Sequence, residues 1–424
     1  MKELKEAQCY VISFDESLNT ELHEEQMDFL VRYFHKDKVT CRYITSGFLG
    51  HTRAEDLKMK FEEGIIELEK KKMLQISMDG PNVNWKLYDS IVEKRSENDD
   101  YPGLIDIGSC NLHIVHGAFR TGMQKTKWGI DGILQALYNL FPYSPAKRED
   151  YQKLTGSKVF PLPFSGTRWI EDKKVADRAI QIWPNIIKYI NETLKKPKSQ
   201  VPTSSYFAKI RSAVQDSLIV AKLQFFASTA SLMVPYLQKF QTDTPLIAFT
   251  TTEVTVLLET LMQKFIKQSE MQAANTVVKI AKLNVMDTTI HVAPSDVDVG
   301  FAATDTLTKA VNEKKLSSRQ VFEFKKECCT MLAAIVSKIQ ERSPLKYSFA
   351  RNLVSLDPRL IAAEPDKVVR MFREVLTKLV DKKWRTPEQA DDIWMQYKKL
   401  VTEVKQFHKD KFSGFKFGED RLDT

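Results

Sequence analysis

Two aspartates in this chain stand where carboxylates do chemistry. Asp15 closes the short run Cys9–Phe14, and Asp79 closes the run Met73–Met78, 64 residues further along. Both runs are rich in β-forming residues, which predicts two largely buried strands, each ending in an acid. If those strands are neighbours in a sheet, the two carboxylates converge, and they repel unless a cation sits between them. Mg2+ suits such a pair because it takes carboxylate and water oxygens in octahedral geometry. With a third acid the cage can hold two metals about 3.5–4 Å apart, the arrangement that supports phosphodiester cleavage. The plain alternative is that both are ordinary strand-end acids, since Asp is common at turns.

Other residues carry weaker signals. Cys110 and His113 form half of a zinc set, and His113 and His116 are spaced to share a helix face, but no second pair with suitable spacing accompanies them. A structural packing role competes with zinc at each of these positions. Arg168-Trp169 could fork against phosphate and stack on a base, or simply pack at a helix start. Lys195-Lys196-Pro197-Lys198 reads as a nuclear address or as a solvated linker. Cys328-Cys329 reads as core, and Asp296-Val297-Asp298 lacks the following glutamate of a calcium loop. No Walker loop, dinucleotide fingerprint or nucleophile elbow occurs, which argues against an ATPase, a dehydrogenase or a serine hydrolase.

The elements that must position these groups change character near residue 125. Before it, strands are predicted at Cys9–Phe14, Met27–Phe34, Val39–Thr45, Met73–Met78 and Leu104–Ile107, with His35-Lys36-Asp37-Lys38 as a hairpin link. Thr52 and Glu55 have capping-box form and open a helix whose Leu57, Phe61, Ile65 and Leu68 make one apolar stripe. A second helix is expected over Trp85–Val92. Three strands, a helix, a strand, a helix and a strand imply a mixed sheet with helices on its faces. After residue 128, amphipathic stretches dominate: Ile133–Phe141, Val175–Leu194, Tyr206–Phe240, Thr252–Ile280, Ser317–Glu341 and Pro365–Val380. A strand pair is plausible there only around Ile290–Ala293.

Composition sets the outer bounds. The chain has 424 residues, 43% hydrophobic and 28% charged, which excludes a disordered or collagen-like class. A formal charge of +8 permits contact with nucleic acid without demanding it. Five scattered cysteines make no disulfide framework, so a reducing intracellular compartment is expected. No run of 18 apolar residues occurs, so no membrane span is expected.

The sequence also resembles a known family. Ser13-Phe14-Asp15-Glu16-Ser17, Ser77-Met78-Asp79-Gly80-Pro81-Asn82-Val83-Asn84, Cys110-Asn111-Leu112-His113 and Gly166-Thr167-Arg168-Trp169 occur in the order found in the hAT superfamily of DNA transposases and proteins derived from them. The resemblance runs from about Cys9 to Leu360 and includes Phe324–Pro358. It implies an α/β plus all-α fold, a ribonuclease H-like mixed sheet interrupted by a large helical insertion domain. It divides the chain into a core over 1–125, a helical continuation over 126–410 and a shortened tail over 411–424. It makes Asp15 and Asp79 the metal-binding acids, with Mg2+ as the ion. It places His113 near the scissile phosphate, and Arg168 and Trp169, with Asn82 and Asn84, on DNA. It also implies a nuclear protein, with the cytoplasm as the alternative.

Departures from the family pattern decide what activity to expect. Only 14 residues precede Asp15, too few for a zinc finger that binds transposon ends. The glutamate-bearing helix that supplies the third acid would be expected beyond Thr424, and Glu323 and Glu327 fall inside the helical insertion. Two acids of three make a defective cage, with weak or absent Mg2+ binding and no transposition. The expectation is therefore a decayed, domesticated or interrupted transposase. The alternative is a non-enzymatic helical protein that binds nucleic acid, another protein or a second copy of itself.

Overall fold

The structure, a computed structural model, describes residues 2–50 and 53–423. Thr52, the expected N-cap, lies outside the described residues. The chain folds as two compact units: Met1–Ile114, Lys239–Thr255 and Arg342–Thr424 make the first, and Val115–Gln238 with Val256–Glu341 make the second. The change of texture near residue 125 therefore falls inside the second unit. The late helices return to the first, an allocation that helical periodicity does not encode.

The first unit is built on a four-stranded mixed sheet of order β3-β2-β1-β4. The strands are β1 (Tyr10–Asn19), β2 (Glu24–His35), β3 (Lys38–Leu49) and β4 (Met73–Ser77). β1 and β2, and β2 and β3, pair antiparallel, whereas β1 and β4 pair parallel. Alternation drives the buried face: Tyr10, Ile12 and Phe14 on β1, and Met27, Phe29, Val31 and Tyr33 on β2, all point into one core. His35 pairs with Lys38 across a two-residue link, with Lys36 and Asp37 at φ 48° and 62°. Both central residues thus take the left-handed conformation that matches the twist of a tight hairpin.

Helices α1 (Ala54–Gly64) and α2 (Asn82–Ser96) pack on that core. Leu57, Phe61, Ile65 and Leu68 are all buried, as the stripe predicted, although the helix stops at Gly64. The rings of Phe14, Phe29 and Phe61 meet with centroids 5.7–6.5 Å apart. Gly64 makes this approach possible, because a Cβ there would lie 2.7 Å from the Phe29 ring. α2 runs longer than expected and buries Leu87, Tyr88 and Ile91 on the same core.

The expected fifth strand at Leu104–Ile107 is not a strand. The segment does run along β4: Ile105 N donates to Leu74 O at 2.9 Å, and Cys110 N donates to Met78 O at 2.8 Å. Gly108, at φ 93°, bends the backbone between those two bonds, and Pro102 lacks a donor on the near side, so no continuous ladder forms. Other groups hold the segment instead. Gly103 N donates to Lys382 O at 2.9 Å, and Trp384 Nε1 donates to Gly103 O at 2.8 Å. The buried Arg95 of α2 spans the gap, donating to Lys70 O at 2.6 Å, Pro102 O at 2.5 Å and Met73 O at 3.4 Å.

The late helices Pro365–Asp381 and Pro387–Glu403 make their own cluster, with Phe372 stacked on Tyr397 at 3.9 Å. The tail closes the open edge of the sheet. Asp423 Oδ2 accepts from Val39 N of β3 at 2.6 Å, which blunts an edge strand that would otherwise invite pairing.

The second unit is helical. The stretch expected over Tyr206–Phe240 is two helices, Ser205–Gln215 and Ile219–Phe240, bent by 97°. Asp216 makes the corner, accepting from Leu218 N at 2.9 Å and from Lys222 Nζ at 2.7 Å. The stretch over Thr252–Ile280 is likewise divided into Ile247–Met262, whose first residues belong to the first unit, Gln268–Ala273 and Val277–Lys282. Around Ile290–Ala293 there is only an isolated bridge, Ile266 with His291. Among the described residues no single helix is long and apolar enough to cross a membrane; only that bent pair, taken together, has the length and composition.

Candidate acidic site where β1 passes the end of β4

Parallel pairing of Ile12 with Ile76 and Ser13 with Ser77 sets the geometry of the site. Asp15 lies two residues beyond Ser13, and Asp79 two beyond Ser77, on strands spaced about 4.8 Å apart. Ile12 and Ile76 fill the core, so Ser13 and Asp15 look out from the other face of β1. Asp15 is exposed and Asp79 half-buried. Burial raises the Asp79 carboxyl above its ordinary value, and the Asp15 charge adds to that rise. The charge of His113 and a hydrogen bond from Asn84 work against it.

Asn84 is the best-buried polar group here, 1% exposed in the first turn of α2. Its Nδ2 donates to Asp79 Oδ1 at 2.6 Å. Its Oδ1 is buried without a hydrogen-bond partner. Asn82, by contrast, is exposed at the start of the same helix. The two asparagines that the resemblance grouped together thus part company: one holds an acid and the other faces solvent.

His113 comes from the first turn of helix α3 (Asn111–Lys125). A hydrogen bond with Cys110 lifts its imidazole to about 9 against the pull of burial, helped by the negative charges of Cys110, Asp79 and Asp15. Burial would push the Cys110 thiol up, but His113 and the helix-start N–H groups leave it below its ordinary value. The charged form of the His113 imidazole is therefore favoured beside the two aspartates. His116 lies further along α3, buried, with Nδ1 accepting from Ile170 N at 3.4 Å.

Arg168 and Trp169 belong to the second unit. The Arg168 side chain is 69% exposed, 3.8 Å from Glu171. The Trp169 indole is buried, edge-on to Phe164 and bonded through Nε1 to Gly166 O at 2.9 Å. Of that pair, the arginine is the group presented to solvent. Glu327 is engaged as an acceptor from Trp128 Nε1 at 2.5 Å.

Two acids at the site escaped the sequence reading. Glu16 follows Asp15, and alternation turns it to the opposite face, so adjacency spoke against it. Burial, followed by the charges of Asp79, Glu25 and Asp15, pushes Glu16 up to about 7, and a hydrogen bond with Asn84 limits the rise. Its Oε1 is buried without a hydrogen-bond partner. Asp28 of β2 pairs directly with Asp15, a register that only the hairpin geometry reveals. Asp28 accepts hydrogen bonds from Gln26 and Ser46.

The carboxylates of Asp15, Glu16 and Asp79 supply oxygen donors here, and Glu16 Oε1 and Asn84 Oδ1 are buried without a hydrogen-bond partner. That chemistry suits a hard divalent cation such as Mg2+. Among the described residues, no three His, Cys, Asp or Glu side chains are gathered into a group that could hold a metal ion. The oxygens are right by type but are not gathered: Glu16 turns to the face of β1 opposite Asp15, and Asn84 presents its Nδ2, not its oxygen, to Asp79. Compared with known proteins, the chain matches no family model and no curated sequence.

Proposed function

We propose that this chain is a decayed or domesticated relative of hAT-type DNA transposases, built on a ribonuclease H-like sheet, that no longer cuts DNA. One observation carries the reading. β1 lies between an antiparallel β2 and a parallel β4, so Asp15 and Asp79 each follow by two residues the paired Ser13 and Ser77. A helix on the core face holds Asp79 through Asn84, and a second helix brings His113 within electrostatic reach of both acids. The same reading gives the protein a nuclear location and leaves DNA, through Arg168 and the excess of basic residues, as its partner.

The reading of inactivity follows from charge. Two-metal phosphoryl transfer needs enough carboxylates to hold two cations close together. Here the acid pair already has the His113 imidazole, raised to about 9, beside it, and that positive charge opposes a second cation. Incubation of the full chain with Mg2+ or Mn2+ and hairpin or terminal-repeat duplexes should give no cleavage. Cleavage that disappears in Asp15→Ala and in Asp79→Ala would overturn the reading.

A second reading, a binding protein without enzymatic activity, is favoured by the outer face of the sheet. Phe34, Tyr43 and Phe48 lie there and remain 56%, 60% and 41% exposed. Exposed aromatic surface of this kind marks a contact site for another protein or a second copy.

A further inference from the structure

We propose that Cys329 and His291 form a base-assisted nucleophile, a site at which a small, uncharged electrophile such as an α,β-unsaturated carbonyl adds to the chain. Both residues lie in the second unit, Cys329 on the helix Ser318–Arg342 and His291 just after the short turn Thr288–Ile290. Cys329 Sγ is 3.4 Å from His291 Nδ1, and the other ring nitrogen, Nε2, is 2.9 Å from Val285 O. A carbonyl oxygen can only accept, so Nε2 carries the ring proton and Nδ1 is bare. The bond at Nδ1 is therefore donated by the thiol. Nucleophile, base and an acceptor that orients the base follow one another in the order that activates a thiol.

Several contacts fix the ring for this role. His291 pairs with Ile266 in the isolated bridge, Lys267 N donates to Ile290 O and Val292 N to Phe265 O, both at 2.9 Å, and the Phe265 ring meets the imidazole edge-on at 5.2 Å. Burial pushes the Cys329 thiol up to about 11, so at rest the pair is neutral, and the thiol without its base is inert at neutral pH. In the step, Sγ bonds to the β-carbon of the electrophile while its proton passes to Nδ1. The C=C π pair moves onto the α-carbon as an enolate, which takes that proton back from the imidazolium. Asp287, within electrostatic reach of the ring, favours the imidazolium in between. No oxidant or reductant is consumed. Access sets the class of reagent: Cys329 is 7% exposed, which admits a small uncharged molecule and disfavours a large anionic one such as glutathione disulfide.

Treatment of the full-length chain with N-ethylmaleimide under native conditions, read site by site by peptide mass spectrometry, tests this, with circular dichroism confirming that the variant folds. Cys329 should be labelled at pH 7.5, and its wholly buried neighbour Cys328 should not. His291→Phe should slow labelling of Cys329 by at least about tenfold, with the half-buried Cys9, Cys41 and Cys110 unchanged as internal references. Between pH 6 and 9 the wild-type rate at Cys329 should level off once an imidazole is deprotonated, above about pH 7. In His291→Phe it should keep climbing toward the pH at which the thiol ionises alone. An unlabelled Cys329, a rate unchanged in His291→Phe, or equal labelling of Cys328 and Cys329, which reports opening of the helix, would each overturn the proposal. So would a mixed disulfide with glutathione that forms at Cys329 as fast as at Cys110. Should His291→Phe not fold, the wild-type pH profile and the comparison with Cys328 decide alone.

Discussion

Replacing Arg95 by Ala is expected to lower the unfolding free energy of the first unit by roughly 3–5 kcal/mol. The guanidinium is buried and donates to three backbone carbonyls, those of Lys70, Met73 and Pro102. Each carbonyl left buried without a donor costs about 1–3 kcal/mol. Loss of the charge itself recovers part of this, because burial already disfavours the charged arginine. The Tyr101 ring, 5.5 Å from the guanidinium, loses its cation as well. Arg95→Lys should recover only a fraction, since one ammonium cannot reach three acceptors arranged for a planar fork. Chemical denaturation of the two variants checks the prediction, and a loss below about 1 kcal/mol for Arg95→Ala would contradict it. The effect bears on the site, because Arg95 ties the start of β4 to the segment that runs beside it.

The second large effect is a fall in stability as pH rises. Glu16 is raised to about 7 in the folded chain, so the folded state binds this proton where the unfolded state has already released it. The stability that the Glu16 proton contributes is therefore complete below the ordinary glutamate range, near pH 4.3, and declines until the pH passes about 7. The decline attributable to Glu16 is on the order of 2–3 kcal/mol. Asp79, also raised, acts in the same direction. His113 extends the decline: its imidazole is raised to about 9, so the stability it contributes is complete below about pH 6.5 and lost as pH passes 9. Glu16→Gln should flatten the lower part of the curve and make the protein more stable than wild type at pH 8. Thermal melts across pH 4–9 decide it; a variant that keeps the wild-type slope would contradict the assignment to Glu16.

Much of this architecture was legible in the residues. Runs of β-forming residues marked β1, β2 and β3, the polar link His35–Lys38 marked the hairpin between β2 and β3, and the Leu57–Leu68 stripe named the helix face that meets the core. Asp15 and Asp79 stood out because each ends an apolar run. What stayed hidden depends on contacts rather than on periodicity. Whether Leu104–Ile107 completes a ladder is decided by Pro102 and Gly108, and Asp216 breaks one amphipathic run into two helices at a right angle. The late helices have the same texture as the helices of the second unit yet belong with the sheet. Glu16 was missed for a physical reason: the two-residue period sends it away from Asp15, and only Asn84, arriving on a helix from that side, connects it to Asp79. Trp169 read as a stacking platform because its neighbour is arginine, whereas its indole is spent on Phe164 and Gly166.

The central claim is that two acids 64 residues apart in sequence meet where β1, which continues to Asn19 rather than stopping at Asp15, runs past the end of β4. Carbon-detected NMR titration of the Asp79 carboxyl, in the wild type and in Asp15→Asn, measures that meeting directly. Asp79 should titrate above the ordinary aspartate value of about 3.9 and move down when the Asp15 charge is removed. An Asp79 that titrates at the ordinary value and ignores the substitution would separate the two acids, and the shared site would go with them.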